Sequence, residues 1–243
     1  MSEDITQLPR SYREALVRGE IPFKEDARYD EAKMRAFLRS YARNTATMVS
    51  AKNLENDVRD FSLENQSISK DTVAAYLRFL TRTFVIEEQA AWSPGLRSKT
   101  RIQTGSKRHF CDPSLAAAAL NAAEESLLGD LRTLGFLFES LCVHDLRIYA
   151  QAMDANVCHY RDDRGLECDI IIEAPGRHWA PIVVKLGMNE VDKAAENLIK
   201  LKNTMMESGA RKLDFMAVLV GLGDYAFQRE DGVLVLPLSC IRP

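Results

Sequence analysis

Residues 165–187 read GLECDIIIEAPGRHWAPIVVKLG and carry the groups most able to do chemistry in this chain. Alternation in the first half predicts a strand with Glu167, Asp169, Ile171 and Glu173 on one face and Cys168, Ile170 and Ile172 on the other. Ala174, Pro175, Gly176 and Arg177 form a turn signal. The run that follows, from Trp179, is almost wholly apolar and ends on Lys185. Carboxylates on one strand and a lysine at the end of the next are what a metal-assisted phosphodiester cleavage needs. Asp169 would ligate Mg²⁺ or Mn²⁺ with Glu167 close by, and Lys185 would orient or activate the attacking water.

The hairpin resembles the core of metal-dependent nucleases of the restriction-endonuclease-like class. There an Asp on the first strand and an acid-x-Lys on the second hold the metal and the water. Asp169 and Lys185 fit, but Val183 stands where the acid is expected. An apolar side chain there removes an anionic ligand, and metal affinity falls steeply. Glu167 or Glu173 could compensate only by migration of the carboxylate role.

The elements around this hairpin are legible in outline. Residues 1–29 read as a linker with a short helix near 10–19. Residues 30–47 predict a helix capped by Asp30, with Met34, Phe37, Leu38 and Tyr41 at i, i+3, i+4 and i+7. Ser50 caps a second helix carrying Leu54 and Val58, and Ser69 a third carrying Val73, Tyr76, Leu77 and Leu80. A β-prone run, Phe84, Val85 and Ile86, follows at once. Three helices running into a strand predict a winged-helix-like domain over residues 30–110. Its wing would be residues 92–110, with Arg97, Lys99, Arg101, Lys107 and Arg108 and no acid among them. Such a wing is a candidate nucleic-acid contact. The plainer alternative is a packing module whose cations are simply solvated. His109 ends the basic run and could add a phosphate contact.

Residues 111–243 predict a second domain. Asp112, Pro113 and Ser114 open an alanine-rich helix over 115–123. A longer helix over 126–150 has Glu139 at its middle. Strands over 157–161, 166–173 and 178–185, a helix over 189–207 and strands over 215–221 and 233–238 complete the chain. The order αβββαβ with one more strand predicts an α/β (α+β) fold, a mixed sheet with helices on both faces. His159, Cys158 and Cys168 approach one another on paired strands, without the closely spaced ligand pairs of a Zn²⁺ site.

Bulk properties set few further limits. The chain has 243 residues, 46% of them hydrophobic and 28% charged, which is ordinary globular composition. A net charge of −3 means that any site for a polyanion must be a local patch. No apolar run approaches a membrane span, and nothing at the N-terminus reads as a signal peptide. Five scattered cysteines without CxxC spacing favour a reduced, cytoplasmic protein without membrane contact.

Several stretches carry a wider resemblance: LRSYARNT, DTVAAYLRFL, AWSPGLRSKTRI, KRHFCDPSLAAAAL, LGFLFESLCVHDLRIYA, HYRDDRGLECDIIIE and IVVKLG. They resemble the C-terminal region, domain of unknown function 4143, of bacterial and archaeal AAA+ type ATPases. The resemblance runs through most of the chain from about residue 30 and implies a winged-helix segment followed by a restriction-endonuclease-like fold. It places Glu139, Asp169 and Lys185 at nuclease-like positions, with Glu167 nearby. Gly105, Ser106 and Lys107 lack the spacing of a Walker A loop, so the ATPase part is expected to be absent from this chain.

The expectation is therefore a non-catalytic binding module with a degenerate nuclease-like site. Its partner would be duplex DNA, an ATPase domain or another protein, and it would need no cofactor. In that reading Lys185 pairs with Asp169 or Glu139 in a partly buried network. The competing expectation is a Mg²⁺- or Mn²⁺-dependent nuclease with a migrated carboxylate.

Overall fold

Asp30, Ser50, Ser69 and Asp112 each begin a helix, because a short oxygen-bearing side chain can accept from the orphan N–H groups of a first turn. In the computed structural model, which describes residues 7–23, 29–61, 68–95, 105–210 and 212–242, all four do so. Asp30 accepts from the Lys33 amide at 2.9 Å, and Ser50 from that of Asn53 at 3.1 Å. Ser69 accepts from the Thr72 amide at 3.1 Å, and Asp112 from that of Ser114 at 2.8 Å.

The chain divides into two units that interleave along the sequence. The first comprises Met1–Glu88 and Arg108–Ser140, the second Gln89–Lys107 and Leu141–Pro243. Helices α1 (Gln7–Val17), α2 (Glu31–Arg43), α3 (Ala51–Phe61) and α4 (Lys70–Arg82) lead to the strands β1 (Ile86–Gln89) and β2 (Lys107–Phe110), which form a two-stranded sheet. Helices α5 (Pro113–Leu120) and α6 (Glu124–Leu128) follow. The core of this unit gathers the stripes expected on α2 and α4, with Met34, Phe37, Leu38, Tyr41, Val73, Tyr76 and Leu80 all buried. Edge-on ring contacts, Phe37 with Tyr76 and Tyr41 with Phe110, lock it.

α4 ends in an unusual way. The Val85 amide returns to the Leu80 carbonyl at 2.9 Å, which closes the helix through a left-handed residue. That residue is Phe84, at φ +55° and 82% exposed.

The predicted long helix over 126–150 is two. α6 stops at Gly129, and α7 (Leu131–Gln151) restarts because Asp130 accepts from the Thr133 amide at 3.1 Å. Gly129 and Asp130 are a stop followed by a cap, which the apolar stripe running past them conceals.

The second unit is built on a six-stranded mixed sheet in the order β3-β4-β5-β6-β8-β7. Its strands are β3 (Asn156–Arg161), β4 (Glu167–Ala174), β5 (His178–Lys185), β6 (Ala217–Val220), β7 (Phe227–Gln228) and β8 (Leu234–Pro237). β3, β4 and β5 are antiparallel, whereas β5, β6 and β8 are parallel. The crossover from β5 to β6 is α8 (Val191–Glu207), whose Val191, Ala194, Ala195, Leu198 and Leu201 are buried. The turn between β4 and β5 uses two left-handed residues, Gly176 at φ +77° and Arg177 at φ +68°. Residues 89–92 lie along the outer edge of β3: Ala91 bridges His159 in parallel, and Trp92 stacks on Trp179 with centroids 5.1 Å apart. No helix among the described residues is long and apolar enough to cross a membrane.

Candidate functional site

The strand that carries Asp169 is not regular. Cys158 faces Ile171 and Tyr160 faces Cys168, so two steps along β3 meet three along β4. The extra residue is a β-bulge at Asp169 and Ile170, opposite His159. It breaks the expected alternation, and Cys168 and Ile171 join the same apolar cluster instead of opposite faces.

A bulge leaves backbone groups outside the ladder, and when buried these must find other partners. The Gln89 amide nitrogen donates to the Asp169 carbonyl at 2.9 Å and to the Cys158 carbonyl at 3.0 Å. Gln89 is fully buried. The Asp169 carboxylate reaches across to β5, where its Oδ2 accepts from the Val184 amide at 2.9 Å. Its Oδ1 lies 3.6 Å from the Lys107 ammonium. The Cys168 thiol donates to the carbonyls of Ile170 and Ile182, and burial pushes its pKa well above the ordinary thiol range.

His159 completes the cluster. Its Nε2 is 3.0 Å from the Gly105 carbonyl, which can only accept, so Nε2 carries the proton and Nδ1 is bare. Among the described residues Nδ1 has no hydrogen-bond partner. Burial first, and the Lys107 charge second, lower the His159 pKa to about 4. The imidazole is neutral at physiological pH.

The remaining expected site residues are dispersed. Lys185 pairs with Glu190 at 3.7 Å, and Glu167 with Arg161 at 3.3 Å across the β3–β4 pair. Val183 is buried in the apolar cluster beside its cross-strand neighbour Val218. Glu139 is a buried residue of α7 and belongs to the first unit, whereas Asp169 and Lys185 belong to the second.

Of the basic segment, Arg97, Lys99 and Arg101 lie outside the described residues. Lys107 is buried on Asp169. Arg108 bonds the Glu88 carboxylate at 2.6 Å and the Val49 carbonyl at 3.0 Å. His109 is fully buried and lies 2.8 Å from the Ser140 hydroxyl.

A divalent cation does not fit this donor set. One Asp169 oxygen is held by a backbone N–H, the other faces an ammonium, and the flanking acid position is apolar. A second positive charge beside Lys107 would meet direct repulsion. Among the described residues no three His, Cys, Asp or Glu side chains cluster as metal ligands. The arrangement pins a bulge. Nothing in the sequence pointed to Gln89 or to Lys107 as partners of Asp169, since both lie more than 60 positions away in the chain.

Residues 2–126 match a domain of unknown function (DUF8612), and residues 134–241 match a second domain of unknown function (DUF4143). Neither the curated proteins nor the solved structures contain a match.

Proposed function

The chain belongs to the DUF8612 family and carries a DUF4143 region after it, and from that premise we propose that it is a non-catalytic binding module. Its N-terminal part is read as winged-helix-like, and its C-terminal part as a nuclease-like core that no longer supports metal chemistry. A single observation carries this reading: the Asp169 carboxylate is spent on the Val184 amide and the Lys107 ammonium. Lys185, the group that would activate water in a nuclease, pairs with Glu190 instead. The resemblance to the C-terminal region of AAA+ type ATPases supports a role alongside such a motor, with nucleic acid or protein as the bound partner.

The test is a cleavage assay on single- and double-stranded DNA and RNA with Mg²⁺ or Mn²⁺. It compares the wild-type chain, Lys185→Ala and Val183→Glu. No metal-dependent cutting is expected from any of the three. Val183→Glu is expected to lose about 2–4 kcal/mol of stability, because it forces a carboxylate into the apolar cluster. Cutting by the wild-type chain that disappears in Lys185→Ala would sink the non-catalytic reading and establish a nuclease with a relocated ligand.

A further inference from the structure

Trp92 and Trp179 are the only tryptophans of the chain, and the second unit stacks them with ring planes 23° apart. They are 3% and 2% exposed. A buried indole N–H normally finds an acceptor, because a bare one costs the desolvation of the group. Among the described residues neither indole N–H has one. Both rings line a single cleft, together with Pro94, Arg177, His178 and Ala210. It sits where the turn from β4 to β5 meets the segment that follows α8.

The rim of this cleft is rich in donors. Arg177 gives one of its five guanidinium N–H groups to the Pro94 carbonyl at 2.8 Å, which links two walls of the cleft. His178 turns Nδ1 to the Asp214 carboxylate at 2.7 Å, and that acceptor fixes a proton on Nδ1. Lys212 reaches the same turn, since a Cβ on Gly176 would lie 3.5 Å from its ammonium. Arg177 and Lys212 are both held in the left-handed region without being glycine, at φ +68° and φ +60°. Such conformations gather at ligand clamps. Glu173 also lines the cleft and adds a negative charge. A cation would meet donors where it needs acceptors, and a dianion would be repelled by Glu173 twice as strongly as a monoanion. A singly charged acceptor fits, and Pro94 and Ala210 beside it leave room for a small apolar substituent.

We propose that this cleft binds a carboxylate carried on a small apolar group, either the C-terminal residue of a partner protein or a free small acid. Arg177 exchanges the Pro94 carbonyl for the planar carboxylate, which its fork matches with two parallel bonds. The same carboxylate gives the indole N–H groups the acceptor they lack. The proposal rests on the binding-module reading and supplies its ligand chemistry and its place.

Because both tryptophans line the cleft, the intrinsic fluorescence of the full chain reports on this site alone. The titrants are N-acetyl-alanyl-valine, its C-terminal amide, propionate and inorganic phosphate, all at one ionic strength. The free-acid peptide should change the emission saturably, the amide should not, and phosphate should bind more weakly than either carboxylate. Tighter binding of the peptide than of propionate assigns the site to a chain terminus, and equal binding assigns it to a small acid. Arg177→Gly, which suits the left-handed backbone, should weaken binding about ten-fold or more. Trp92→Phe keeps a ring and removes one N–H, so it should weaken binding by about two- to ten-fold, with Trp179 still reporting. Lys193→Ala, exposed in the first turn of α8, should leave the affinity unchanged. Far-UV circular dichroism should show every variant folded.

Four results would overturn the proposal: no saturable response to either carboxylate, an equal response to the amide, tighter binding of phosphate, or an affinity indifferent to Arg177→Gly. Its failure is separable from that of the non-catalytic reading. A chain that cuts DNA while binding the carboxylate refutes only the latter, and an inert chain that ignores carboxylates refutes only the former.

Discussion

Asp169 has the chemical type of a metal ligand and the surroundings of a fastener. A hydrogen bond to a charged group is worth about 1.5–3 kcal/mol, and removing one member of a buried pair costs more, since the other is stranded. Asp169→Ala leaves the Val184 amide without its acceptor and takes an ion-pair partner from the Lys107 ammonium, which is only 9% exposed. The expected loss is about 2–4 kcal/mol in urea unfolding. Asp169→Asn, which keeps an acceptor for the Val184 amide and gives up only the charge, should lose less. Lys185→Ala and Glu167→Ala break pairs that solvent reaches, Lys185 being half-buried and the other three members exposed, and each should change stability by about 0.5 kcal/mol or less. Equal losses from Asp169→Ala and Lys185→Ala would contradict the structural role assigned to Asp169. The residue types of the site were legible in the sequence, and their partners were not. A carboxylate's role is set by what folding brings beside it, and Lys107 reaches Asp169 from 62 positions earlier in the chain.

At the level of the element, the β3–β4 pair is governed by its bulge and by His159 opposite it. The His159 amide bonds the Ala90 carbonyl at 2.9 Å, and its carbonyl accepts from the Trp92 amide at 2.7 Å, so its backbone serves residues 89–92 along the outer edge of the sheet. The buried neutral imidazole makes this edge sensitive to acid. An unfolded His159 takes up a proton near pH 6.5, while the folded one does so only near pH 4. Unfolding therefore gains a proton between these values, and stability that is complete above pH 6.5 declines as pH falls toward 4. The contribution at stake is on the order of 3 kcal/mol. Denaturant midpoints of wild type and His159→Gln, followed from pH 7 to pH 4, should converge as the wild type loses this increment. Parallel curves would show that His159 titrates normally. The caps of α2, α4 and α5 could be read directly because cap chemistry is local, contained in a few consecutive residues. The bulge could not, because inserting one residue into an alternating run leaves the letters of the run unchanged while reversing the faces beyond it.

At the level of the whole molecule, the chain leaves its first unit at Gln89 and returns at Arg108, and the intervening residues build the second. A division into consecutive stretches, the simplest inference from a helical half followed by a strand-rich half, does not express this interleaving. Each unit has its own apolar cluster, with Phe37, Tyr41 and Tyr76 in one and Trp92, Trp179 and Leu198 in the other. Trp92 is thus a core residue of the second unit supplied from within the sequence span of the first. It is 3% exposed and packed on Trp179. Truncating a buried Trp costs about 3–5 kcal/mol, and that cost falls on the cluster that holds the ring. Trp92→Ala should therefore raise amide hydrogen exchange across β3, β4 and β5 by about two to three orders of magnitude. Protection of α2 and α4 should stay within a few-fold of wild type if the two clusters open as separate cooperative units. Equal loss of protection in α2 and α4 would mean that the units unfold as one, and the interleaved residues would then couple them thermodynamically as well as connect them along the chain.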